Sequence, residues 1–225
     1  MLARFRLHRI HGDAGFGLVL AIQVAIIFAV APLAATHSAS LELIEMLRFG
    51  LAATMILIVA RHPLVRSAVA VAFLATLTAS LQWRIGQPAV VIDIAKLAVT
   101  IGFDLVVATI VAVAAFRPGR VTVHRILGAV ILYLYVALIF ASIYRTGALI
   151  FHPSFSGLPA DQRGRFAGFL YFSLGALTTS GTDQLAPVHP IMRSLASFES
   201  VIGQLYPATL LARLVTLHAA GGERR

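Results

Sequence analysis

Between two apolar segments near the end of the chain runs LTTSGTDQLAP, Leu177 to Pro187. Its first half, TTSGT, sets side-chain hydroxyls and main-chain carbonyls in a row, and Gly181 permits close approach of the backbone. A ring of such oxygens can replace the hydration shell of a cation. One chain supplies only one edge of a ring, so this chemistry calls for a symmetric oligomer. The 13 residues before it, about Phe166–Thr178, are apolar but too few to cross a bilayer, which fits a core helix or a re-entrant one. The C-terminal end of that helix, near Thr178, would carry a partial negative charge favouring cations.

Other polar residues sit inside apolar segments. Gly203 and Pro207 lie four apart, and a helical proline clashes with the carbonyl four residues before it. That carbonyl belongs to glycine, which yields most easily, so the pair reads as a hinge or as a fixed kink. Glu199 and Gln204 share this segment, and ionisable groups within membrane segments face the bundle interior or water. Glu199 is expected to support the pore by bonding Ser173 or a nearby group, with a cavity-facing position as the alternative. Ser197, Ser200, Gln204, Ala208 and Leu211 form a small or polar stripe suited to a cavity or to helix packing. Asp93 and Lys96 are three apart on one helical face and suited to pairing. Arg48 has Asp104 or Glu45 as candidate partners. His152 and His189 flank the short apolar segment. The 8 histidines show no metal-ligand spacing, cysteine is absent, and no catalytic constellation is present, so neither an enzyme nor a metal cofactor is expected.

These residues need elements to hold them, and the composition says which. Of 225 residues 59% are hydrophobic and only 12% charged, about half the charge of a soluble domain; mean hydropathy is +0.90. The net charge of +9 comes from basic residues that punctuate the ends of apolar runs, as membrane topology requires. No basic face with interleaved aromatics suggests nucleic acid. About 20 apolar residues cross the hydrocarbon core, and that ruler gives six spans: about Phe16–Ala35, Leu43–Ala60, Leu64–Leu81, Val90–Phe116, Val121–Ile143 and Ile191–Leu214. The first follows a basic stretch as a signal peptide would, but exceeds the roughly 7–15 residues of a signal core, so a retained span is expected. With the N-terminus inside, 11 arginines fall on the cytoplasmic side against 5 outside, while Arg48 and Lys96 lie within spans. Both termini are therefore expected in the cytoplasm of a multi-pass cell-membrane protein. No internal repeat is evident.

Over about Val121 to Val215, most densely in YFSLGALTTSGTDQLAPVHPIMRSLASFESVIGQLYPATLLARLV, the chain resembles the bacterial potassium-channel family. The resemblance is to its pore module of outer helix, pore helix, filter and inner helix. Family members typically read T-T-x-G-Y-G-D-x-x-P. Here Thr179 takes the filter threonine, Ser180 the aliphatic position and Gly181 the first glycine. Thr182 stands at the tyrosine, Asp183 at the second glycine and Gln184 at the aspartate, while Pro187 keeps its place. The family tyrosine packs outward to brace the filter, a gap Thr182 is too small to span. Asp183 would need a left-handed backbone that Asp tolerates better than most residues, and would set four carboxylates at the mouth. Gly203 falls at the inner-helix hinge glycine.

The resemblance implies an all-α polytopic membrane protein: a homotetramer in the lipid bilayer, with six transmembrane helices and a re-entrant pore helix between the fifth and sixth. Residues 1–120 are expected to form a four-helix membrane region, 121–217 the pore module and 218–225 a short cytoplasmic tail, and no cytoplasmic ligand-binding domain is expected. The fourth span lacks an arginine at every third position, so voltage sensing is not expected. Thr178, Thr179, Ser180, Gly181, Thr182 and Asp183 are expected to form the filter, with carbonyls and Thr179 hydroxyls as ligands and Asp183 as the charge ring. The expected function is weakly selective conduction of monovalent cations, K+ and Na+ both, since Gly-Tyr-Gly has become Gly181-Thr182-Asp183. Potassium selectivity, a secondary transporter using Asp93, Lys96, Asp104 and Glu199, and a non-conducting scaffold or sensor are the alternatives.

Overall fold

The computed structural model describes residues 17–36, 90–116, 123–182 and 184–222. The second and third expected spans, Arg48 and Asp183 lie outside the described residues. Five helices and a two-stranded ladder make up what is described, and the architecture is predominantly helical. Helix α1 covers residues 17–35, with a π-helical turn over Ile26–Val30. Helix α2 is Val90–Ala115, α3 is Val123–Ile150, α4 is Gln162–Leu177 and α5 is Pro190–Gly222. Strands β1, Phe155–Ser156, and β2, Ala186–Pro187, pair antiparallel with Phe155 opposite Pro187.

Two helices, within α2 and α3, are long and apolar enough to span a membrane: Asp93–Ala115 and Arg125–Ile150. Helix α1 is a shorter apolar helix over Gly17–Leu33. Helix α5 has 33 residues, about 50 Å at 1.5 Å per residue. Arg193, Glu199, Gln204 and several hydroxyl residues interrupt its apolar character. Helix α4, with 16 residues, reaches only about 24 Å.

Local chemistry sets the ends of α4. Asp161 is its N-cap, its carboxylate accepting from Gly164 N at 2.9 Å, which satisfies one of the amides a helix start leaves unpaired. Arg165 reaches back to Pro159 O at 2.8 Å and fixes the entry loop. At the other end Thr178 N closes the last turn on Leu174 O, and the next residue breaks the helix by adopting φ 57°.

Helix α4 packs against α3 and α5, and the final turn of α1 also touches it. Behind it lies an aromatic cluster of Tyr144, Phe155, Phe169 and Phe172, with ring centroids 5.1 to 5.7 Å apart in near-perpendicular pairs, a favoured aromatic geometry. Further along, Tyr206 of α5 donates to Ala129 O of α3 at 2.7 Å. Arg213 donates to Phe116 O at 2.7 Å and lies over the Phe116 ring, tying the end of α2 to α5.

Candidate functional site

The segment after α4 is held at both ends and open along its face. At the far end, β2 pairs with β1, Val188 N donates to Ser154 O at 2.8 Å, and Arg193 Nε donates to Pro187 O at 3.0 Å. Gly157, at φ 77°, passes so near Gln184 O that any Cβ would overlap it. His189 stacks on Phe151 with centroids 4.4 Å apart, so this expected flanking histidine braces the loop.

Between these anchors Thr178, Thr179, Ser180 and Gly181 are exposed. The hydroxyls of Thr178 and Ser180 lie 3.0 Å apart, and Thr179 Oγ1 donates to Thr178 O at 2.7 Å. The turn therefore gathers several oxygens in a small exposed space. Thr179 is the one non-glycine residue with positive φ among the described residues. A β-branched side chain in the left-handed region costs about 1–3 kcal/mol, and such strain concentrates at ligand sites. Gly181 follows at φ 76°, where glycine carries no such cost.

Thr182 does reach the short helix despite its size. A Cβ on Gly175 would lie 2.6 Å from Thr182 Cγ2 and 2.7 Å from Gly181 O. The gap left by a small side chain closes because the backbone of the helix comes forward with nothing on it. Gly181 N donates to Gly175 O at 3.3 Å, and Thr182 Oγ1 donates to Leu185 O at 3.1 Å. The carbonyl of Gly181 thus rests against α4, while Thr178, Thr179 and Ser180 form the open part of the turn.

On the opposite side of α4 the hydrogen bonds that tie Ser173, Ala176 and Leu177 to α3 and α5 are buried or half-buried. Glu199 of α5 is fully buried; Tyr144 donates to its Oε2 at 2.6 Å, and Ser173 Oγ lies 2.5 Å from Oε1 and 2.8 Å from Ala137 O. One carboxyl group thereby joins α3, α4 and α5, and the expected bond to Ser173 is present. Ser200 donates to Ala176 O at 2.9 Å and Tyr133 to Leu177 O at 3.2 Å, adding donors at the helix end, where Ala176 O also accepts from Thr179 N at 3.2 Å.

Gly203 is buried with its Cα against Leu177, and a Cβ there would overlap Leu177 O. Its place in the structure is a close contact between α5 and the end of α4. Pro207 lies four residues on in the same unbroken helix, exposed like Gln204. Of the small and polar stripe, Ser200 packs against α4, whereas Ser197, Gln204, Ala208 and Leu211 remain exposed. Asp104 is buried within α2 and Asp93 and Lys96 are half-buried, all away from the turn. Among the described residues no His, Asp or Glu cluster is placed to hold a metal ion.

Sequence reasoning missed Gly175, Tyr133 and Tyr144. Tyr133 and Tyr144 carried no signal, being hydroxyls on an otherwise apolar span whose partners lie on other helices. Compared with family models, curated proteins and solved structures, the chain matches none.

Proposed function

We propose that the chain is one subunit of a homotetrameric, weakly selective channel for monovalent cations in the cell membrane. Both termini lie in the cytoplasm, and α3, α4 and α5 serve as outer, pore and inner helices. One observation carries the reading: a strained, exposed, oxygen-rich turn at the C-terminal end of a short helix, Thr178–Gly181, with that helix clamped between two longer ones. A helix C-terminus and a cluster of hydroxyl and carbonyl oxygens both favour a cation. Four copies around an axis complete the ring. Phe198, Val201, Leu205, Leu211 and Val215 of α5 are each more than half exposed in the single chain, leaving apolar surface for neighbouring subunits and lipid.

The test is the reversal potential of purified protein in a planar bilayer with K+ on one side and Na+ on the other. Clear currents reversing near zero are expected. Reversal near the potassium equilibrium potential overturns weak selectivity. Stable tetramers that pass no ion overturn the channel and leave a scaffold.

A further inference from the structure

The contact between Gly175 and the exposed segment has a geometric consequence. Nothing separates the segment from α4: Gly181 O and Thr182 Cγ2 occupy the space where a side chain at 175 would stand. The segment therefore lies as far back on the helix as the backbone allows. In a ring of four copies, each step a segment takes away from the axis widens the opposite-wall separation by twice that step. We propose, resting on the channel reading above, that Gly175 sets the width of the passage. Its missing side chain holds the oxygen ring wide, so that the permeating species is a partly hydrated monovalent cation or a small organic ammonium.

Which partner yields when a side chain is added at 175 follows from what holds each. Helix α4 is pinned on its far side at Ser173, Ala176 and Leu177, by Glu199, Ser200 and Tyr133, and Gly203 is wedged against Leu177. Residues 178–181 are exposed on their other side. The helix cannot retreat, so the segment must advance into the open space. Ordinary contact between carbons is about 3.5–4.0 Å, so an alanine at 175, with its Cβ 2.6 Å from Thr182 Cγ2, drives the segment forward by about 1 Å. Opposite walls then close by about 2 Å.

The experiment measures the permeability of Na+, methylammonium and tetramethylammonium relative to K+, from bi-ionic reversal potentials of the reconstituted full chain. It compares wild type, Gly175→Ala and a control, Gly168→Ala. The control adds the same group to the same helix where a Cβ meets only Pro159 at an ordinary 3.9 Å. In wild type, K+, Na+ and methylammonium are expected within about tenfold of one another. Gly175→Ala is expected to lower methylammonium by about tenfold or more relative to K+, with Gly168→Ala unchanged. The double variant Gly175→Ala/Thr182→Ser, which removes the crowded Cγ2, should recover part of the loss.

Should Gly175→Ala not assemble, the double variant, in which the crowding at Cγ2 is relieved, is compared with Thr182→Ser alone and must lower the relative permeability of methylammonium. Strict K+ selectivity in wild type overturns this inference together with weak selectivity, and leaves the channel reading standing. A size cut-off that Gly175→Ala moves neither alone nor in the Thr182→Ser background overturns this inference alone. Absence of current from every variant, wild type included, overturns the channel reading and this inference with it.

Discussion

The two sides of α4 are built on opposite terms. Behind it, a carboxyl, three hydroxyls and a close glycine contact join it to α3 and α5, and the groups named there are buried or half-buried with partners at 2.5 to 3.2 Å. In front, residues 178–181 are exposed, one threonine is strained, and the hydroxyls bond mainly to their own neighbours. Strain persists only where the surroundings over-determine it. The pinned side supplies that determination, and the open side keeps its oxygens for something other than folding. Substitutions behind α4 should therefore act first on assembly, and those in front first on ion flux.

The sharpest break is Gly203→Ala. Its Cβ must overlap a backbone carbonyl, which cannot rotate away as a side chain can. Destabilisation on the order of 3 kcal/mol is expected from such overpacking. It would be read as loss of tetramer on size exclusion and a lowered thermal midpoint in detergent. If Gly203 acts as a hinge without this contact, alanine will leave assembly intact and change only gating.

Glu199 comes next and separates two kinds of replacement. Alanine strands Tyr144 and removes one of the two partners of Ser173, costing about 1–3 kcal/mol, the penalty for leaving a buried polar group unsatisfied. Glutamine should restore most of that. Its amide can donate to Ser173, which then gives its own proton to Ala137 O, while its carbonyl oxygen accepts from Tyr144. Equal thermal midpoints for the two variants would show that the carboxyl does not join the three helices. Ser200→Ala is milder, because Ala176 O loses one half-buried donor. Below about 1 kcal/mol is expected, measurable against wild type in the same detergent.

How far the sequence foretold this contrast differs between its two sides. The front was readable, since TTSGT is local and its oxygens advertise themselves. The short helix, expected over Phe166–Thr178, forms over Gln162–Leu177; counting apolar residues misses the polar first turn that Asp161 caps. For the same reason α3 runs on to Ile150 and α5 to Gly222, past the expected ends at Ile143 and Leu214. A helix continues where its hydrogen bonds do, not where its apolar residues stop. The back was readable mainly at Glu199, because an acid in an apolar run is conspicuous, while Ser200 and Gly203 stood out without showing their partners. Tyr144 and Gly175 take their meaning from residues 55 and 7 positions away, Glu199 and Thr182, and no periodicity reports such pairs. The β1–β2 ladder, two residues to a strand, is too short to leave a pattern.

The smallest effect on stability is expected at the front, where it sharpens the contrast most. Thr179→Gly removes the cost of a side chain at φ 57°, about 1–2 kcal/mol for the left-handed region. It adds the greater backbone freedom that glycine brings to the unfolded chain, about 0.5–1 kcal/mol. The first exceeds the second, so the thermal midpoint should stay at or a little above that of wild type, with the tetramer fraction unchanged. Conductance should fall, because the variant loses the Thr179 hydroxyl and the rigidity that fixes the neighbouring carbonyls. Thr179→Ser keeps the hydroxyl and the Cβ that makes this backbone costly, losing only the β-branch, so it should conduct better than glycine. If both variants conduct like wild type, the strained turn is not where ions are held. If instead the tetramer falls apart, the front of α4 belongs to assembly as much as the back does, and the division between the two sides fails.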